Sequence, residues 1–364
     1  MIPRQRVVTI DTHTGGEPTR TILSGLPSIP GGTMSARALY LRTHMDWIRT
    51  ALTFEPRGNS VMSAVVLTEP CQRGSQFGVI FVEVGGYLPM CGHDTIGCCT
   101  ALVEAGFVRG SGETEVVLDT PGGLVAAQVL IDRGRAVRVS FRSVPAFVFT
   151  LDTPVDIPGF GRVGVDVAYG GNVYASVEAG RLGLRLVPEA AADLVRVGLA
   201  LRDAARGRIR VRHPELAWVD EITHVQFTAS SENPGVSGRN AVVIPPGAID
   251  RSACGTGTAA RLAILYARDE IAVGEPFVHE SLIGTTLTGR IVEETKVGDC
   301  AAVVPEISGR AFVTGHHEFV IDPDDPLKDG FLLGSTPQPP AGEADPRRLV
   351  QEQKGTEDDG LRAS

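Results

Sequence analysis

The chain has 364 residues, more than the roughly 250–300 at which a single hydrophobic core usually stops growing, so two domains are expected. Its 43% hydrophobic and 21% charged content is that of an ordinary soluble globular protein. A formal net charge of −9, with no basic stretch interleaved with aromatics, argues against nucleic acid or an anionic membrane surface as a partner.

Taken in order, the chain starts with a short lead and no signal-peptide pattern, and no apolar run reaches the ~18 residues needed to span a bilayer. Residues 7–11 read as a strand and 13–18 as a tight polar loop; His13 and Glu17 could face a site, but the polar-loop reading is preferred for both. Helical spacing runs unbroken over 36–52, followed by a turn at 55–59. Strands are expected over 61–67 and 76–84. Then comes Pro89-Met90-Cys91-Gly92-His93-Asp94-Thr95-Ile96-Gly97, a loop feeding a helix of small and apolar residues. Cys98 and Cys99 fall inside that helix and read as core. Strands follow over 116–118, 124–131 and 137–141, and 144–158 reads as a crossover between domains.

The second half repeats this outline. Strands are expected over 163–168 and 173–177, an amphipathic helix over 189–206, and strands over 223–227 and 241–244. The chain then reaches Asp250-Arg251-Ser252-Ala253-Cys254-Gly255-Thr256-Gly257-Thr258, which again opens an apolar helix. Strands at 289–293, 301–305, 311–313 and 318–321 complete the fold. His316 and His317 are adjacent in a strand and point to opposite faces, so they do not form a shared ligand pair. Residues 336–364, rich in Pro, Gly and charge, are expected to be a disordered tail.

The six cysteines are too sparse for a disulfide scaffold and include no CxxC pair, which fits a reducing cytoplasm. Lys296, Lys328 and Lys354 are the only lysines and none lies in a pocket motif, which disfavours pyridoxal phosphate; no GxGxxG or Walker loop points to a nucleotide. The chemistry therefore rests on Cys91 and Cys254. Each is expected at a helix N-terminus, where free N–H groups and about half a positive charge hold a carboxylate and lower a thiol pKa toward neutrality. Two such sites facing each other would clamp an amino-acid carboxylate between two thiols. One thiolate could then remove the Cα proton while the opposite thiol returns one.

These residues resemble the proline racemase family, which includes 4-hydroxyproline 2-epimerases and trans-3-hydroxyproline dehydratases. The marks are Asp11-Thr12-His13-Thr14-Gly15-Gly16-Glu17-Pro18-Thr19-Arg20, Glu55-Pro56-Arg57-Gly58, Met90-Cys91-Gly92-His93, Gly170-Gly171-Asn172 and the Cys254 motif. Also matching are His279-Glu280-Ser281-Leu282-Ile283-Gly284 and Ile321-Asp322-Pro323-Asp324-Asp325-Pro326-Leu327. The resemblance implies an α+β fold like that of diaminopimelate epimerase: two pseudo-symmetric domains, each a sheet curled around a central helix. The first domain would be 1–145, completed by about 318–335, and the second 146–317.

The resemblance further implies cofactor-independent inversion at Cα, with no metal. Cys91 and Cys254 would be the paired acid and base, and Gly92, His93, Gly255 and Thr256 would hold the substrate carboxylate. Asp250 would receive the ring ammonium, and His224 matches a substrate-contacting strand position. The implied partner is a small imino acid, and a homodimer is compatible. Threonine stands at the position of Cys254 in the dehydratases, so two cysteines favour a racemase or epimerase. The expected reaction interconverts trans-4-hydroxy-L-proline and cis-4-hydroxy-D-proline, with proline or 3-hydroxyproline as the alternative substrate. The chain departs from the family pattern at Ala253, Asn59 and Asp94.

Overall fold

The computed structural model describes residues 4–216 and 219–333. The expected tail at 336–364 lies outside the described residues. The strand Gln5–Thr14 turns through Gly15 and Gly16, both at positive φ, and returns as Glu17–Ser24. The expected polar loop is thus the tip of a hairpin. Its second arm was hidden because Thr19, Arg20 and Thr21 are polar yet buried.

Two helices follow, α1 (Met34–His44) and α2 (Trp47–Thr53). The single helix expected over 36–52 breaks between them. The Met45 N–H closes α1 onto the Leu41 carbonyl, and Asp46 opens α2 while binding the Arg49 guanidinium through both oxygens at 2.8 Å. Strands Ser63–Thr68, Phe77–Glu83 and Gly86–Leu88 lead into α3 (Gly92–Glu104). A meander of Gly112–Thr120, Gly123–Asp132 and Arg135–Arg142 closes the first half.

The second half opens with a correction. The expected crossover over 144–158 is itself a strand, Ala146–Ile157, paired with Gly161–Tyr169 on one side and Cys300–Gly309 on the other. Its exposed Asp152 and Asp156 and half-buried Thr150 and Thr153 masked the alternation. Next come Val173–Glu178, then α4 (Ala191–Arg208), then His224–Ala229, Gly238–Ile244 and the short Ala248–Ile249. After α5 (Gly255–Ala267), Pro276–Glu280, Thr286–Val297, Cys300–Gly309 and Ala311–Ile321 complete the sheet. The last of these pairs antiparallel with the first strand of the chain, from Gln5↔Ile321 to Thr14↔Ala311. His316 and His317 lie on it and approach different acids, Glu104 and Asp11.

The two halves have the same layered plan. Helix α3 runs inside one curl of sheet and is buried from Gly92 through Val103. Helix α5 runs inside the other, buried over Gly255–Leu265 except at Arg261. On the outer faces, α1 and α2 cover the strands Ser63–Thr68 and Phe77–Glu83, while α4 covers His224–Ala229 and Gly238–Ile244. Strands sandwiched between helices are buried on both faces, which is why they read as continuous Val-rich runs. The architecture is α+β, two pseudo-symmetric halves each curled around a central helix. Cys98 and Cys99 are fully buried in the core around α3.

Candidate active site

The two central helices meet end to end. A Cβ on Gly92 would lie 2.9 Å from the Gly255 Cα, and one on Gly255 would lie 2.9 Å from the Gly92 Cα. Only glycine at both positions lets the two N-termini touch, because what a side chain would strike is backbone. Cys91 and Cys254 are the N-cap residues of α3 and α5, so both thiols flank this contact. The first amides of a helix have no carbonyl partner within it, and at α5 the Gly257 N–H turns to the Cys254 sulfur. The caps are not equivalent: Cys91 is extended at φ −137°, whereas Cys254 sits at φ 58°, a strained conformation for a side-chain-bearing residue. Both cysteines are buried, at 5% and 6% exposure.

Around Cys91, the His93 Nδ1 lies 3.3 Å from the sulfur, and the His93 Nε2 lies 3.2 Å from the Asp94 Oδ1. Asp94 is fully buried and accepts hydrogen bonds from the Thr19 hydroxyl at 2.7 Å and from the Ser63 hydroxyl. The ligand atoms of Cys91, His93 and Asp94 fall within 4.8 Å of one another, close enough for a metal ion. The carboxylate and imidazole, however, are spent on each other and on two hydroxyls. The trio is a hydrogen-bonded chain ending at the thiol.

Around Cys254, the Tyr174 hydroxyl lies 3.3 Å from the sulfur and 2.6 Å from the Thr256 hydroxyl, and the Gly257 N–H donates to the sulfur at 3.4 Å. The Cys254 N–H donates to the Ser252 hydroxyl, and the Asp250 carboxylate accepts the Ser252 N–H at 2.8 Å. Asp250 is buried, and its charge bears on both Cys254 and Glu17.

Burial decides the electrostatics. The expectation that a helix N-terminus brings both thiols toward neutrality does not hold. Loss of solvation, reinforced by the Asp94 charge and opposed by His93, pushes Cys91 up to about 12. Burial and the Asp250 charge hold Cys254 well above the ordinary thiol range. Burial works against a charged His93, but the Cys91 sulfur and the Asp94 carboxylate outweigh it and raise the imidazole well above its usual value. Burial also works against a charged Asp94; His93 and the two hydroxyls overcome that and lower its pKa.

Of the residues singled out from the sequence, Gly92, His93, Gly255 and Thr256 sit at the helix junction and Asp250 just before it. His224 lies behind Tyr174, its ring 5.0 Å from the phenol and its Nδ1 bonded to Thr223; burial drops its pKa to about 3 and keeps it neutral. Three residues of the site were missed. Tyr174 lay just beyond Gly170-Gly171-Asn172, a motif quoted for the resemblance but given no role. Asp94 was noted only as a departure. Glu17 was weighed as facing a site and set aside as loop, yet it is 1% exposed and its carboxylate accepts the Arg251 N–H at 2.7 Å.

Comparison with known proteins identifies the family. The model of the proline racemase family aligns with residues 9–332. The chain belongs to the proline racemase family. A proline racemase from Clostridioides difficile is 45% identical, over 89% of this chain and 97% of the relative. A 4-hydroxyproline 2-epimerase from Streptosporangium roseum is 46% identical over the same shares. A hydroxyproline epimerase from Agrobacterium vitis, solved with trans-4-hydroxy-L-proline bound, superposes with a TM-score of 0.85 at 34% identity, covering 90% of this chain and 95% of that one. This member of the proline racemase family is therefore an isomerase, an amino-acid racemase or epimerase. No helix among its described residues is long and apolar enough to cross a membrane.

Proposed function

We propose that this enzyme inverts Cα of 4-hydroxyproline, interconverting trans-4-hydroxy-L-proline and cis-4-hydroxy-D-proline, with Cys91 and Cys254 as the two bases. The observation that supports the mechanism is the glycine-to-glycine contact of α3 and α5, two helices whose N-cap residues are both cysteines. In this reading the substrate carboxylate receives N–H groups from Gly92, His93, Gly255 and Thr256. That is the natural anion site of two converging helix N-termini. Asp250 takes the ring ammonium. One thiolate removes the Cα proton and becomes a thiol. The opposite thiol delivers its proton to the other face of the planar carbanion and becomes a thiolate, so the proton count balances and the configuration inverts.

The choice of 4-hydroxyproline rests on the Streptosporangium relative and on the ligand in the Agrobacterium structure. Proline is the second reading, favoured by the Clostridioides relative. Dehydration of 3-hydroxyproline is disfavoured, because elimination needs no thiol at position 254.

Proton NMR in D₂O, with no cofactor added, separates these readings. Trans-4-hydroxy-L-proline is expected to gain deuterium at Cα as the cis-D diastereomer appears. Exchange confined to proline would overturn the substrate, and loss of a ring hydroxyl would overturn the reaction.

A further inference from the structure

Beside the helix junction stands a carboxyl that bonds nothing in the protein. Glu83 ends the strand Phe77–Glu83 and lies directly opposite Ser63 in an antiparallel pair. Residues so paired send their side chains to the same face of the sheet. The Ser63 hydroxyl donates to Asp94 at the start of α3, so that face looks onto the α3 N-terminus. From there the Glu83 carboxyl reaches toward the second half. A Cβ on Gly85 would lie 3.0 Å from the Glu83 Oε1 and 2.9 Å from the Pro245 carbonyl oxygen, so the acid and the Pro245 turn border one small gap. The charges acting on Glu83 also come from both halves: His93 and Asp94 on α3, and Asp250 just before α5. Glu83 is only half-buried, and among the described residues none hydrogen-bonds or ion-pairs with its side chain; Arg49 reaches its backbone carbonyl instead.

Burial is the largest influence on this carboxyl. Opposed by His93 and Arg49, and joined by the charges of Asp94 and Asp250, it raises the pKa to about 8. At neutral pH the side chain is therefore mainly a carboxylic acid, with one O–H to donate and lone pairs left to accept. A polar group held out of water without a partner costs free energy until something bonds it. Its natural partner is another neutral group that both donates and accepts, and a hydroxyl is one.

We propose that Glu83 is a specificity-determining residue, its carboxyl hydrogen-bonding the ring hydroxyl of the bound imino acid. The inference rests on the reading of 4-hydroxyproline as substrate and adds the group that tells it from proline. With the substrate carboxylate on the amides of α3 and α5 and the ammonium at Asp250, the far edge of the ring is what meets the wall that carries Glu83. Neither neighbour on that wall competes for the hydroxyl. Ser63 is already bonded to Asp94 and to the Val82 carbonyl, and Pro245 has no N–H. Glu83 takes no part in moving the Cα proton; it acts on which ring is bound.

The test is the rate of Cα deuterium exchange at low substrate concentration, which reads kcat/KM, for trans-4-hydroxy-L-proline and L-proline in turn. Wild type, Glu83→Leu and Glu83→Gln are compared, and the readout is the ratio of the two substrates. Glu83→Leu is expected to lower the hydroxyproline-to-proline ratio by about tenfold or more, because the hydroxyl then meets an apolar side chain. Glu83→Gln, uncharged and still able to donate and accept, is expected to keep the ratio within about threefold of the wild type. Glu83→Ala serves if the leucine variant does not fold. An unmoved ratio in the leucine or alanine variant would overturn the proposal. So would an equal loss on both substrates in every variant, which would mean that Glu83 serves the ammonium or the fold. Exchange of proline alone by the wild type would instead overturn the substrate reading, and this assignment with it.

Discussion

A serine in place of either catalytic cysteine keeps nearly the same shape but replaces a thiol of ordinary pKa near 8.5 by a hydroxyl that does not ionise in water's accessible range. Both sulfurs are packed within hydrogen-bond distance of fixed partners, so the exchange leaves the folded site in place. Cys91→Ser and Cys254→Ser are each expected to fold as the wild type does, by circular dichroism, and to invert substrate at less than a tenth of its rate. A variant that kept more than that would show that one thiol is enough. Tyr174 shows what residue types alone conceal: as a buried Val-Tyr-Ala run it reads as core, and only the parallel pairing of its strand with His224–Ala229 turns the phenol toward Cys254.

At the scale of elements, the site is a meeting of two helices, and its precision depends on how close they come. Gly92→Ala or Gly255→Ala would put a methyl group 2.9 Å from backbone that cannot rotate away. The helix ends must then separate, and the two thiols with them. A misplacement of about 1 Å in such a site costs on the order of a hundredfold in rate, and the overpacking costs about 1–3 kcal/mol. Steady-state kinetics and urea unfolding of the two variants check this; wild-type kcat in either would mean the contact does not set the thiol spacing. Both Cys-Gly helices were legible because small residues crowd their first turns and apolar ones follow. The break between α1 and α2 was not, because the role of Asp46 lies in gripping Arg49 and accepting the distant Tyr87 hydroxyl. Nor was the use of Asp11, Arg20, Glu55-Pro56-Arg57-Gly58 and Asp325. Arg20 is buried, pairs with Asp11 at 2.7 Å and donates to the carbonyls of Leu52 and Arg57, while Arg57 reaches Asp325 at 3.2 Å. Those motifs brace the first half of the fold, and sequence spacing gave no hint that residues so far apart share one knot.

At the scale of the whole molecule, the cleft needs its two halves held in register, and the Gly15-Gly16 hairpin tip does part of this. The Gly15 carbonyl accepts the Thr285 hydroxyl at 2.7 Å, and the Glu17 carboxylate accepts the Arg251 N–H at 2.7 Å, three residues before Cys254. Glu17 is therefore a buried acid lying across the join. Burial first, and the Asp250 charge second, raise its pKa well above the ordinary 4.5. The folded protein thus holds this proton at pH values where the unfolded chain has released it. Stability must fall as pH rises from 4.5 toward the folded pKa, by at most about 1.4 kcal/mol per pH unit from this group, and level off beyond it. Glu17→Gln keeps an acceptor for the Arg251 N–H and removes the titration. The urea midpoints of wild type and Glu17→Gln, followed from pH 4.5 upward, are therefore expected to diverge, with the wild type losing ground as the pH rises. Parallel curves would mean that Glu17 is already ionised in the folded state, and that the halves are joined across a carboxylate rather than a carboxylic acid.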